Sequence, residues 1–247
     1  MRRAFEELDY APTPLGAVTL RRRWDARLDR DVLEVMLRDE HLISDVFTAS
    51  EVALAELALA VLPDRPLRVV VGGLGLGYTA QAALADPRVR PCRVIEYLEP
   101  VIRWHREGLA PLGPGLLADD RFEVVTGDFF AMALSDGFGG EPWDAVLIDI
   151  DHAPDRLLGV DAGFYAPEGL ARLARYLAPG GVVALWSDDV PDERVTARLR
   201  TAFGQATGHP VTWPNPYAAG SGAAGSGEGE TVTQTVYLAQ TPARATT

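Results

Sequence analysis

The stretch Leu67–Ala80, LRVVVGGLGLGYTA, passes from a short apolar run into four glycines within six positions and then into helix-forming residues. Glycine lets a chain turn tightly and lets its backbone approach a ligand closely. A turn of this kind after the first strand of an α/β sheet therefore suits the phosphates or ribose of a nucleotide. Gly73, Gly75 and Gly77 are spaced G-x-G-x-G, with Gly72 in front. Such glycines also serve purely structural strand-to-helix turns, so the loop needs a partner. Glu96 ends the next apolar run, about 20 residues past the last glycine, where an acid takes ribose hydroxyls. The bland alternative for Glu96 is a solvated strand end.

Outward from this loop the chain alternates. LRVVVGG, CRVIEYL, FEVVTGD, WDAVLIDID and VVALWSDD read as strands. YTAQAALAD, EPVIRWHREGL, PEGLARLARYL (with APGG as its stop) and DERVTARLRTAFGQA read as helices between or after them. The strands are continuous apolar runs, as expected where helices cover both sheet faces. The pattern predicts an α/β fold with a doubly wound, mostly parallel, Rossmann-like sheet. Before it, GAVTLRRRWD and DVLEVMLRDEHLISD show partial alternation and predict a small β hairpin or meander within residues 5 to 46. TASEVALAELALAVL is a largely buried helix, N-capped by Thr48 or Ser50 and ended by Pro63. A division follows: residues 1–47 as a small β region and 48–247 as the nucleoside-binding domain. AAGSGAAGSGEGE, around residues 218–230, is a flexible loop between two antiparallel strands.

Composition narrows the chemistry. The chain of 247 residues is 47% hydrophobic, as in an ordinary globular protein, and no apolar run approaches the length of a membrane span. MRRAFEELDY lacks an apolar signal core, so a cytoplasmic location without a membrane partner is expected. The net charge of −12 opposes nucleic-acid binding and leans towards a cationic substrate. All 23 basic residues are arginine, which removes lysine-based phosphate loops, Schiff bases and general bases. The basic run RRRWDAR, Arg21–Arg27, is read as a solvated strand edge rather than a phosphate grip. Cys92 is the single cysteine, so neither an internal disulfide nor a cysteine-rich metal site is expected.

The glycine spacing alone leaves a nicotinamide dinucleotide and an S-adenosyl nucleoside open. A pyrophosphate turn reads G-x-G-x-x-G, and here the third position after Gly75 is Tyr78. The later strands favour the nucleoside. Asp128 follows the third strand, placed to receive an adenine amino group. Asp149 and Asp151 follow the fourth, beside the crevice where ligands sit in open α/β sheets. His152 has two readings, a general base near neutral pH or a plain loop histidine bonded to an aspartate. DIDH as a metal set is a weak pattern, and no metal is expected. His105 and Tyr165 read as structural. The segment WSDDVPD, from Trp186, is either a pocket wall or a helix-capping turn.

Together these phrases resemble the spermidine synthase (polyamine aminopropyltransferase) group, within the class I S-adenosylmethionine-dependent methyltransferase fold. FTASEVALAEL, GGLGLGYT, VIEYLEPVI, DDRFEVVTGDFF, WDAVLIDIDHAP and FYAPEGLARLARYLAPGGVVAL carry the resemblance, from about residue 5 to about 205. It implies that Gly73, Gly75 and Gly77 line the nucleoside, that Glu96 binds its ribose, and that Asp128 contacts adenine with Phe129 as a packing neighbour. It implies that Asp149 orients or deprotonates an attacking amine, and that Glu51 and Asp151 bind substrate. It also suggests a homodimer. Four positions depart from the pattern. Leu76 stands where the aminopropyltransferases carry the aspartate that holds the aminopropyl amine. His152 replaces the last aspartate of their D-x-x-D loop, with Asp151 beside it. Ala49 stands where they have a tyrosine. Val71 stands where many methyltransferases hold the methionine amine with an acid. The cosubstrate is accordingly S-adenosylmethionine or its decarboxylated form, the acceptor a small molecule, and the lean is to methyl transfer. Aminopropyl transfer and a nucleoside-binding module without turnover are the alternatives.

Overall fold

In the computed structural model, residues 4–150, 163–218 and 231–243 are described. Four antiparallel strands come first: β1 (Phe5–Thr13), β2 (Gly16–Asp25), β3 (Arg30–Leu37) and β4 (Glu40–Ser44), in that spatial order. The stretch DVLEVMLRDEHLISD holds two of these strands, so the region is a four-stranded meander. Arg38, at φ 56°, turns the chain between β3 and β4. Helix α1 (Ala49–Ala60) follows. It is apolar on almost every side and mostly buried, as a helix covered on more than one side should be.

The large sheet has seven strands: β5 (Leu67–Gly72), β6 (Val89–Glu96), β7 (Phe122–Thr126), β8 (Trp143–Ile148), β9 (Leu177–Ser187), β10 (Gln205–Pro214) and β11 (Thr231–Gln240). They lie in the order β10-β11-β9-β8-β5-β6-β7. The run from β9 to β7 is parallel, and β11 is antiparallel to both its neighbours. The expected doubly wound, mostly parallel sheet is present, as is the antiparallel pair flanking the Gly/Ser insert.

Strand periodicity builds the core. Successive residues of a strand face opposite sides, so Val69, Val71, Ala145, Leu147, Val182 and Ala184 enter one cluster. There they meet α1, α2 (Tyr78–Ala85), α3 (Glu99–Arg106), α4 (Gly113–Ala118) and the small sheet. Val70, Val146, Ile148, Val183 and Leu185 enter the other, against α5 (Phe129–Leu134), α6 (Pro167–Ala174) and α7 (Glu193–Phe203).

Two boundaries differ from the sequence reading. APGG is not a helix stop but the opening of β9, and the register between β8 and β9 shifts there to absorb it. The last helix ends at Phe203, and Gln205 and Ala206 pair with Gln240 and Ala239 in β10. Among the described residues no helix is long and apolar enough to cross a membrane.

Candidate active site

The chain runs from β5 outward to β6 and β7, then returns to the other side of β5 as β8. That reversal opens a crevice at the carboxyl ends of β5 and β8, where open α/β sheets bind ligands. The glycine loop, Glu96, Asp128 and Asp149 lie at the carboxyl ends of β5, β6, β7 and β8 in turn.

The loop is shaped by its own protein. Gly73, Gly75 and Gly77 have φ of 90°, 49° and 96°, in the left-handed region that favours glycine. A Cβ on Gly73 would collide with the Asp149 carbonyl, so this glycine lets the ends of β5 and β8 close together. The Asp149 N–H donates to the Gly72 carbonyl at 2.9 Å, which fixes the same junction. A Cβ on Gly77 would stand 2.7 Å from Leu116 Cδ1 and 3.1 Å from His105 Cε1. Ile43, from the small sheet, covers Gly75. Leu76 is only 1% exposed and belongs to the core.

The buried Glu96 carboxylate accepts the Leu74 N–H on Oε2 at 2.8 Å and the Leu98 N–H on Oε1 at 2.7 Å. It ties the glycine loop to the turn after β6. Burial raises its pKa, and these backbone N–H groups oppose the rise. Asp128 is exposed and caps α5, its Oδ1 accepting the Ala131 N–H at 2.9 Å. Phe129 is buried against Gly72, with its ring stacked on Phe138 at 4.8 Å. Its place is that of packing beneath the crevice floor.

Beside the loop, α1 brings Glu51 to Asp149. Glu51 is 6% exposed and accepts the Ser50 hydroxyl at 2.8 Å. Thr79, in the first turn of α2, donates its hydroxyl to Asp149 Oδ2 at 2.6 Å and stands 3.3 Å from the Glu51 carbonyl oxygen. Burial, and then the Asp149 charge, push the Glu51 pKa up to about 8. Burial also raises that of Asp149, against the Thr79 hydrogen bond. Two buried, interacting carboxyls of this kind favour retaining one proton on the pair, which leaves it a single negative charge. Thr79 was not singled out from the sequence, where a threonine two residues past a glycine carries no pattern of its own. Asp151 and His152 lie outside the described residues.

Other residues singled out from the sequence make structural contacts. Asp192 caps α7 through the Arg194 N–H at 2.7 Å, so the end of WSDDVPD is a capping turn. Tyr165 packs in an aromatic cluster with Phe164 at 4.9 Å. Arg21 and Arg23 each bond Glu34 at 2.7 Å, and Arg23 also bonds Asp25, which offsets part of the basic run's charge. A cavity of about 330 Å³ beside it, lined by Arg23 to Arg27 and Tyr217, contains none of the candidate site residues.

The arrangement is that of a class I methyltransferase-like α/β fold with a small antiparallel sheet set before it. More particularly, the chain has the fold of solved spermidine synthases. A spermidine synthase bound to the transition-state analogue AdoDATO matches with a TM-score of 0.71 at 16% identity, over 95% of this chain and 73% of that one. Spermidine synthase from Thermotoga maritima matches with a TM-score of 0.69 at 15% identity, over 95% and 72%. A probable spermidine synthase from Corynebacterium glutamicum gives 0.63 at 17% identity, over 94% and 79%. No protein-family model and no curated protein matches the sequence.

Proposed function

We propose that this chain is a spermidine synthase-like transferase that moves an alkyl group from an S-adenosyl sulfonium nucleoside to a small amine. The observation that carries this reading is the meeting of Glu51, Thr79 and Asp149 beside the glycine loop, at the sheet's switch point. The amine nitrogen attacks the carbon on sulfur, the carbon–sulfur bond breaks, and the nucleoside leaves as a neutral thioether. Such a displacement needs alignment and a place for the amine's proton. Asp149, oriented by Thr79, takes that proton, and the single negative charge of the Glu51–Asp149 pair holds the ammonium form of the acceptor beforehand. Asp151 and His152, next in the chain, would complete the acceptor side. Glu96 and Asp128 hold ribose and adenine, and the loop of Gly73, Gly75 and Gly77 runs beneath them. The protein would act in the cytoplasm on small molecules, without a metal, and as a homodimer.

Methyl transfer from S-adenosylmethionine is the first reading, because Leu76 offers no acid to an aminopropyl ammonium and is buried in the core. A charge-assisted hydrogen bond contributes about 1.5–3 kcal/mol, so its loss weakens decarboxylated S-adenosylmethionine by roughly one to two decades. Aminopropyl transfer is the second reading. It is favoured by the fold shared with spermidine synthases and by the acidic Glu51–Asp149 pair. Calorimetry with both nucleosides, followed by mass spectrometry of products from an amine panel, separates them. The first reading expects the carboxylated nucleoside to bind more tightly and to yield S-adenosylhomocysteine only when amine is present. Preference for the decarboxylated form moves the assignment to aminopropyl transfer. Tight binding with no product from either donor leaves a nucleoside-binding module, and binding of neither ends the nucleoside reading.

A further inference from the structure

His105 sits on α3, outside the set of residues assigned above, yet it touches the glycine loop twice. Its Nε2 lies 3.0 Å from the Gly75 carbonyl oxygen, and its Cε1 lies against Gly77. A carbonyl only accepts, so Nε2 carries the proton and donates. The ring is 3% exposed, and Nδ1 has no hydrogen-bond partner among the described residues. Burial lowers the pKa of His105 against the pull of the Gly75 carbonyl, which keeps the imidazole neutral. The backbone of His105 is held as well, because a Cβ on Gly113 would run into it. The backbone of His105 is thus packed against α4 while its ring lies against the loop.

A side chain that only filled this space would be apolar. An imidazole leaves one nitrogen unsatisfied in the core, and a buried acceptor without a donor is costly. What it supplies in return is one directed N–H, aimed at the middle carbonyl of the glycine loop. Glu96 grips the same loop by the neighbouring Leu74 N–H. One residue accepts and the other donates, on the consecutive residues Leu74 and Gly75.

We propose that His105 is a positioning residue for nucleoside binding: its Nε2–H pins the Gly75 carbonyl, holding the loop in the one conformation that a nucleoside can use. The glycines at positions 73, 75 and 77 make the loop intrinsically permissive, and the pin removes that freedom before the ligand arrives. Binding then carries a smaller ordering cost. The inference rests on the nucleoside reading above for its consequence but not for the pin itself.

Two variants decide it. His105→Gln keeps an N–H at the reach of Nε2, whereas His105→Leu fills the space without a donor. Hydrogen exchange in the ligand-free protein reads the pin directly, because the Leu74 and Gly77 amides are bonded within the loop, to Glu96 and to the Leu74 carbonyl. His105→Leu should lose about tenfold in protection at these amides, and His105→Gln should restore most of it. Titration with S-adenosylhomocysteine should follow the same order, with about tenfold weaker binding in the leucine variant. Equal protection in the wild type and the leucine variant would overturn the pin. A protected loop with equal nucleoside affinity in all three proteins would overturn its role in binding. If the wild type binds no nucleoside, the exchange result still decides the pin, and the failure belongs to the nucleoside site alone.

Discussion

At the scale of single residues, the pair Glu51 and Asp149 exposes the proposed chemistry to test. A carboxyl whose folded pKa lies above its unfolded value retains a proton that the unfolded chain releases. Stability then falls as pH rises between the two values. For Glu51 the interval runs from 4.5 to about 8. Glu51→Gln removes that titration, so its melting temperature should be flatter than that of the wild type from about pH 5 to pH 8. At the upper end it should gain roughly 2 kcal/mol. Thermal melts across this range check it, and an unchanged pH profile would mean that Glu51 is not held protonated. Asp149→Asn speaks to turnover instead. It keeps the Thr79 hydrogen bond but cannot take a proton, so kcat should fall by about 10²–10⁴-fold with nucleoside affinity nearly intact. Equal losses in affinity and rate would move Asp149 from the reaction to the binding of the nucleoside.

At the scale of elements, a side chain can both fold the chain and bind the ligand, and Asp128 separates the two. Its Oδ1 caps α5, which leaves Oδ2 for an adenine amino group. Asparagine caps as well as aspartate but has a single side-chain oxygen. Asp128→Asn should therefore leave stability unchanged while weakening S-adenosylhomocysteine about tenfold. Asp128→Ala should lose the affinity and about 1 kcal/mol of stability besides. If the asparagine variant binds like the wild type, Asp128 is a cap and nothing more. The same double duty explains what the sequence made legible. The apolar runs of β5, β6 and β8 announce themselves because both faces are buried, and the glycine loop, Glu96 and Asp149 follow as strand ends. By contrast β1, FEELDYAPT, has no clean alternation, since a register shift between Glu7 and Asp9 breaks it. Helix α5 is too short to show a period, and α4 opens on Gly-Pro-Gly. The contacts of His105 with Gly75 and of Glu51 with Thr79 join residues about 30 positions apart, so only the folded chain reveals them.

At the scale of the whole molecule, one apolar cluster joins the two sheets. Ala11, Val18, Leu20, Leu33 and Val35 of the small sheet share it with Leu54 and Leu59 of α1 and with Val69 and Val71 of β5. A core held in common argues that residues 1–47 and 48–247 unfold together, though the sequence suggests them as separate regions. A polar tie reinforces it: Asp9 of β1 accepts the Trp104 indole N–H at 2.6 Å and also pairs with Arg103, both on α3. Trp104 is fully buried, so Asp9→Ala strands its N–H without an acceptor, at a cost of about 1–3 kcal/mol. Asp9→Asn keeps that acceptor and gives up only the ionic bond to Arg103 at the surface, which contributes less. In urea, circular dichroism and tryptophan fluorescence should trace one coincident transition in all three proteins, with the midpoint lowest for alanine and intermediate for asparagine. Two transitions in the wild type would show the small sheet to be an independent unit. Its cover of Gly75 through Ile43 would then be a contact that comes and goes with the sheet's own unfolding, and the glycine loop would be exposed to it.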